Sequence, residues 1–426
     1  MIRVLQVLGT VGLGGAESRV MDLYRHMDRR NIQFDFLVTE GTDDHYRAEI
    51  ESLGGRVYHL PAFRIFNTVQ YRQACREFFA SHIVTDTDPL RSKSIQSEYA
   101  AVHGHMTSTA SIYLPIAKRY GVPLAIGHAR SAGVDPGLKG IATRLMRKNL
   151  YKYCDVMLTC SDEAGDSVFG AGREYVFMPN AIDAASFAYD EEARIRIRKE
   201  YGIDDDTCVI GHVGSFRFAK NHEFVLKIFK ELITAGIKQD ETEDGRPESV
   251  MNNGQENITG NGAERGSLKL MLVGDGSLRA QIEKTAKELG ISDNVIFTGN
   301  QSPAAPYYCA FDLLLFPSRY EGMPGTVVEA QAAGLPCVIS SAITDQVVIT
   351  DRVKTLSLEE PTGTWVDTIR ELIRENSGKD RTEYRGNVLT VDGMPISDTL
   401  YDVNKQVEYY TKLYNDAGML RSGSQT

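Results

Sequence analysis

The stretch from Phe316 to Ser341, F-P-S-R-Y-E-G-M-P-G-T-V-V-E-A-Q-A-A-G-L-P-C-V-I-S-S, constrains the fold more than any other. An apolar run from Phe311 to Phe316 stops at Pro317-Ser318. Gly322, Pro324 and Gly325 then make a turn, and a helical pattern runs on to Gly334-Leu335-Pro336. A short apolar run bounded by turn residues predicts a buried strand, so the order is strand, glycine loop, helix. Glu321 and Glu329 stand in it with seven residues between them. Pro324 and the two glycines break any helix joining the two carboxylates, so Glu321 projects from the loop and Glu329 from the helix behind it. A ligand over the helix N-terminus would meet the N–H groups of Met323, Gly325 and Thr326 through phosphates and both carboxylates through hydroxyls. That layout suits a sugar nucleotide.

A chain of 426 residues is too long for one ordinary core and predicts two or three domains of roughly 150 residues each. Its net charge of −10 argues against a nucleic-acid footprint, which needs a basic face, so a polyanionic ligand must be held by local charge and backbone N–H groups. Cys75, Cys154, Cys160, Cys208, Cys309 and Cys337 show no C-x-x-C spacing and mostly sit in apolar runs, as structural thiols of a reducing cytoplasm do. Met1-Ile2-Arg3 leads straight into strand-like Val4 to Leu8, which leaves no room for a secretory leader, and no window holds the roughly 20 apolar residues of a spanning helix. Any work at a membrane is expected from its surface.

Strand and helix patterns alternate along both halves. Val4 to Leu8 precedes the glycine loop Gly9 to Gly15 and a helix carrying Ala16, Val20, Leu23 and Met27. The βαβ rhythm continues through strands at 34–38, 56–60, 100–105, 122–128 and 155–160, and Ser161 is a candidate helix cap. The polar stretch 85–98 is expected as an inserted loop, and 184–206 as a charged helical link. A second strand-glycine-helix opening runs from Val209 to a helix striped by Val225, Ile228, Phe229 and Leu232. The segment 235–267 is nearly devoid of apolar residues and is expected as a mobile insertion. The sheet pattern resumes at Leu268 to Gly274. After Ser341 it loosens, with a strand-like 355–358, a helix at 364–375 and a last helix at 404–415 bearing an exposed-looking set, Tyr409, Tyr410 and Tyr414. Such alternation predicts parallel sheets covered on both faces.

The E-x7-E spacing, the apolar run before it and G-L-P-C-V-I-S after it resemble the retaining GT-B glycosyltransferases of family 4 (glycosyl transferases group 1). Gly14-Gly15-Ala16-Glu17 resembles the loop after their first strand, and Pro179-Asn180-Ala181-Ile182-Asp183 the handover between their domains. The resemblance covers the chain from Gly14 to Ser341. It implies an α/β GT-B fold, two Rossmann-like domains facing a cleft: an acceptor-side domain at 1–184, joined by a returning helix at about 400–418, and a nucleotide-sugar domain at 205–395.

The same resemblance assigns roles. Glu329 would accept hydrogen bonds from ribose hydroxyls, which suits two acceptor oxygens, and Glu321 would face the donor sugar. Lys220 would neutralise the departing diphosphate. Ser215 stands where relatives often carry Arg, so Arg217 would supply the second cation. His128, at the end of a strand, would face the donor sugar, and Arg130 replaces a second His and could reach an acceptor phosphate. Gly14, Gly15 and Gly274, with Met323, Gly325 and Thr326, would let backbone approach the donor closely. The bland alternatives are solvated loop residues and ordinary tight turns. His103-Gly-His105 lacks a third ligand by spacing, so no metal and no cofactor is expected.

No carboxylate pair or G-x-S-x-G elbow suggests a covalent route. The implied activity is front-face transfer of a hexose or N-acetylhexosamine from a nucleotide diphosphate sugar, most simply a uridine one, to a glycan or lipid-linked acceptor. The expected setting is surface polysaccharide assembly in the cytoplasm, at the inner membrane face, with peripheral membrane association. A sugar-nucleotide epimerase on the same fold and a non-catalytic partner subunit remain as alternatives, the latter favoured by Ser215 and the long insertion.

Overall fold

A computed structural model describes residues 1–40, 44–84, 95–130, 138–236, 267–386 and 388–422. Most of the two polar stretches singled out in the sequence, 85–94 and 237–266, lies outside the described residues.

Two parallel sheets organise the molecule. The first has seven strands in the order Val57–His59, Ile32–Val38, Ile2–Leu8, Tyr99–Gly104, Leu124–Ala129, Val156–Thr159, Val176–Phe177. The second has six, in the order Val295–Gly299, Leu268–Val273, Cys208–Val213, Leu313–Phe316, Cys337–Ser340, Val353–Leu356. In each sheet the chain runs outward to one edge, returns beside its first strand and continues to the other edge. A crevice opens where the order reverses, next to Ile2–Leu8 and next to Cys208–Val213, and open α/β sheets bind ligands at such points. Ile32–Val38 is buried on both faces, as a covered parallel strand must be. Ser161 caps helix Asp162–Phe169 by accepting from the Ala164 N–H at 3.2 Å.

Two expectations need correction. The charged segment 184–206 is helical but more than a link: in helix Glu191–Glu200, Arg194 and Arg198 are buried and donate to the carbonyls of Cys309, Ala310 and Phe311 and to Asp312. Together with Arg385, which also donates to the Cys309 and Phe311 carbonyls, these guanidinium groups satisfy a buried turn of backbone. Tyr410 and Tyr414, which look exposed in the sequence but suit packing of a returning helix on the first half, are buried there. Helix Val403–Ser422 lies against Ile2–Leu8, Tyr99–Gly104 and helix Gly15–His26, burying both rings beside Phe34 and His103. The segment after Ser341 is also more regular than its pattern predicts, because Val353–Leu356 adds a parallel edge strand and helix Thr362–Asn376 buries Trp365. All six cysteines are free.

Candidate active site

Helix Gly325–Ala332 is apolar nearly all round and is buried accordingly, so Glu329 within it is held in the interior rather than on a wet face. One oxygen, Oε1, accepts from Arg19 Nη2 at 2.6 Å; the other, Oε2, accepts from the Tyr308 hydroxyl at 2.6 Å. Arg19 sits on helix Gly15–His26 of the first half, and its Nη1 also donates to the Ala181 carbonyl at 3.1 Å and to Asp22 at 3.3 Å. Burial opposes the charge on Arg19, but Glu329 and Asp22 outweigh it and its pKa is raised. Burial, and then Glu329, push the Tyr308 phenol well above its usual range, so it remains a donor.

Glu321 projects from the loop before that helix. Its Oε1 lies 2.8 Å from Lys220 Nζ, though off the line of a directed hydrogen bond, and the ammonium also sits 4.5 Å from the Phe316 ring centre. The Met323 carbonyl accepts from Asn180 Nδ2 at 2.7 Å, so the loop is fastened to the first half. Gly15, Lys220, Glu321, Met323, Gly325, Thr326 and Glu329 thus share one cleft of about 390 Å³ between the two sheets, with Arg19, Arg130 and Asn180 completing its wall. A Cβ on Gly15 would meet nothing within 4 Å, so the space it leaves belongs to the cleft and not to packing.

The remaining expected site residues lie elsewhere. Gly14 precedes Gly15 as the helix N-cap but does not line the cleft, and a Cβ on it would strike Glu17. Arg217 is exposed and is not among the residues lining the cleft. Gly274 has φ +136 and gives its N–H to the Gly299 carbonyl at 2.8 Å; a Cβ there would lie 2.2 Å from the Gly214 carbonyl oxygen. Its requirement for glycine therefore comes from strand packing.

His128 is fully buried behind the cleft wall, where it joins His103 and His105. Strand pairing sets His103 opposite Ile126, two residues short of His128, so the third imidazole comes from the neighbouring strand and escaped a search by spacing. His103 shares a 3.0 Å hydrogen bond with His128 Nδ1 and a 2.8 Å one with the Tyr414 hydroxyl, while His105 bonds Gln6 at 2.9 Å and Arg130 Nε at 3.0 Å. Burial first, and nearby Arg130 with it, hold all three well below the usual histidine range. Neutral imidazoles are the form that binds metals, but only His128 Nε2 is without a hydrogen-bond partner. The arrangement is that of a hydrogen-bonded network supporting Arg130.

Arg19 and Tyr308 carried no motif signal, and Asn180 carried only that of the segment Pro179 to Asp183, with no site role. Their importance arises from contacts with residues 310, 21 and 143 positions away.

Two sheets of this topology facing a cleft with paired glutamates and a lysine define a glycosyltransferase of the GT-B class. The model of the glycosyl transferase 4-like domain matches residues 14–181 and that of glycosyl transferases group 1 matches residues 193–388. EpsF of Bacillus subtilis (strain 168), which bears a glycosyltransferase's name, is 30% identical over 421 residues, covering 97% of this chain and 96% of EpsF. The chain belongs to the group 1, family 4-type glycosyltransferases. The Escherichia coli UDP-Gal:alpha-D-GlcNAc-diphosphoundecaprenol alpha-1,3-galactosyltransferase is 22% identical over 255 residues, 58% of this chain and 59% of that protein. Among solved structures, Anabaena Alr3699/HepE in complex with UDP and glucose superposes with a TM-score of 0.67 at 15% identity, covering 97% of this chain and 100% of that one.

Proposed function

We propose that the cleft transfers a hexose or N-acetylhexosamine from a UDP-sugar to a lipid-linked or glycan acceptor with retention at the anomeric carbon, in surface polysaccharide assembly. The observation that carries this reading is the pair of glutamates in one cleft, Glu329 held by Arg19 and Tyr308 and Glu321 paired with Lys220. A carboxylate fixed from both sides is pre-organised to accept from a vicinal diol, as a ribose presents. Lys220, paired with Glu321 in the loop that leads into helix Gly325–Ala332 and lining the same cleft, would neutralise a diphosphate, whose charge grows as it leaves. The departing phosphate takes the acceptor proton in this front-face route, and the protein supplies position and charge. A relative named for UDP-Gal and a diphosphoundecaprenol acceptor, and a neighbour bound to UDP and glucose, support the donor and acceptor classes. Neither metal nor cofactor takes part in this reading.

Among the described residues no helix is long and apolar enough to cross a membrane. A surface route to lipid-linked acceptors is supported by Ile65, Phe66, Val69, Ile141 and Leu145, exposed by 62, 91, 83, 52 and 68%. Phe63, Ile65, Phe66, Ala142 and Met146 line a cavity of about 720 Å³, which also touches Thr10 and Ser108 at the ligand-binding edge of the first sheet. Segments 64–76 and 140–152 carry seven Lys and Arg and no Asp or Glu, in a chain of net charge −10. Apolar side chains ringed by cations fit an anionic lipid surface.

Calorimetric titration with UDP-sugars in the presence of a chelator, for wild-type protein and Glu329→Ala, tests the donor reading. Saturable binding of one UDP-sugar, lost in the variant, is expected. Wild-type protein that binds no nucleotide sugar would leave the partner-subunit alternative in front.

A further inference from the structure

Three cations line the cleft, and two already have counter-ions. Arg19 is answered by Glu329 and Asp22, and Lys220 by Glu321. Arg130 differs. Its Nε donates to His105 Nδ1 at 3.0 Å and its Nη1 to Asn180 Oδ1 at 2.8 Å, both neutral acceptors, and among the described residues no carboxylate pairs with it. Because His105 accepts at Nδ1, its proton is on Nε2, which donates to Gln6 Oε1 at 2.9 Å and fixes the ring. Behind His105 stand His103 and His128, stacked within 5.3 Å between ring centres and neutral through burial. The guanidinium is therefore oriented from behind by imidazoles that cannot neutralise it. Arg130 is half-buried in the wall of the cleft, and a partly desolvated cation with no counter-charge there is placed for a ligand that supplies the missing charge.

We infer that Arg130 is a phosphate-binding residue of the cleft, held by His105 and Asn180 to receive a phosphate group of a substrate. The inference rests on the reading of the cleft as a nucleotide-sugar site and adds a cation from the first half to Lys220 from the second. Asn180 links the two: it accepts from Arg130 and donates to the Met323 carbonyl, in the loop that carries Glu321. Arg130 lines the cleft, whereas Arg217 is exposed and does not line it. Two substrates carry the right chemistry, the diphosphate of the donor and the phosphate of a lipid-linked acceptor. A planar guanidinium can meet either with two parallel N–H bonds.

Wild-type protein, Arg130→Gln, Arg130→Lys and Asn180→Asp are titrated calorimetrically with UDP and with inorganic pyrophosphate, and their KM is measured for an N-acetylglucosaminyl diphosphoprenol acceptor. If the donor diphosphate is the ligand, Arg130→Gln weakens UDP and pyrophosphate by about tenfold or more, the loss of a charge-assisted bond. If the acceptor phosphate is the ligand, UDP affinity stays within about twofold while the acceptor KM rises about tenfold or more. Arg130→Lys keeps the charge without the fork and should fall between. Asn180→Asp sets a carboxylate beside Nη1, so it should lose anion binding even if Arg130→Gln fails to fold. Unchanged UDP, pyrophosphate and acceptor constants in the folded variants would overturn the inference and leave the donor reading standing. Wild-type protein that binds pyrophosphate through Arg130 but no nucleotide sugar would do the reverse.

Discussion

Arg19 Nη2 lies 2.6 Å from Glu329 Oε1, and this ion pair joins a helix of the first half to a helix of the second across 310 residues of chain. Both side chains are largely shielded from water, 17 and 9% exposed. Breaking a shielded pair from one side leaves the other charge unanswered, so Arg19→Ala should lower unfolding free energy by about 3 kcal/mol. Urea denaturation followed by fluorescence measures it. The variant should also bind UDP-sugar less tightly, because Glu329 loses one of its two positioning partners. Unchanged stability and affinity together would mean that the pair is incidental.

Tyr308→Phe removes a single oxygen, the one donating to Glu329 Oε2 at 2.6 Å. The ring packing survives, and a hydrogen bond to a charged group is worth about 1.5 to 3 kcal/mol, so a loss of that size is expected. A double-mutant cycle with Arg19→Ala should then give a coupling well away from zero, since both act on one carboxylate.

Much of the fold was legible from local pattern. The apolar stripe Val225, Ile228, Phe229, Leu232 is buried on one face of its helix, and the strand-loop-helix around Glu321 and Glu329 lies as the spacing of Pro324 and its glycines requires. What sequence hid were meetings between distant segments. Arg194 and Arg198 fell within a segment read only as a charged helical link, because nothing nearby indicates that the carbonyls of 309–311 need donors. His128 read as a cleft residue because it ends a strand, whereas Tyr410 and Tyr414 of the last helix close over the imidazoles behind it. Gly274 read as a glycine that lets backbone approach the donor, yet the Gly214 carbonyl occupies the space a side chain would need.

Gly274→Ala should accordingly act on stability first. Its φ of +136 is strained for alanine and the added Cβ would lie 2.2 Å from the Gly214 oxygen. A cost of at least about 2 kcal/mol is expected in urea denaturation. A variant of full stability that had lost UDP affinity would instead place the backbone of this residue at the donor.

Stability should fall on mild acidification. The folded pKa values of His103, His105 and His128 are held well below 6.5, and that of His212 is lowered to about 4. Below pH 6.5 the unfolded chain takes up protons that the folded chain refuses, so each ring's contribution is complete above pH 6.5 and is lost as pH drops toward its folded value. The slope is about 1.4 kcal/mol per pH unit for each ring once pH is well below 6.5. Urea midpoints at pH 7.5, 6.5 and 5.5 should descend with increasing steepness. A flat profile would mean that the network accepts protons without opening.

The exposed apolar face beside the first sheet gives the last prediction. Phe66 is 91% and Leu145 68% exposed, on segments without acidic residues. Phe66→Ser with Leu145→Glu removes two apolar contacts and inserts a repelling charge, while neither residue lines the cleft of Glu321 and Glu329. Wild-type protein should sediment with vesicles rich in phosphatidylglycerol, and less with phosphatidylcholine alone or in high salt, because apolar insertion and charge both contribute. The double variant should remain in the supernatant while its UDP-sugar affinity is unchanged. If it sediments as wild type does, the lipid surface meets another face. If wild-type protein ignores every vesicle, the acceptor must come to the cleft through water.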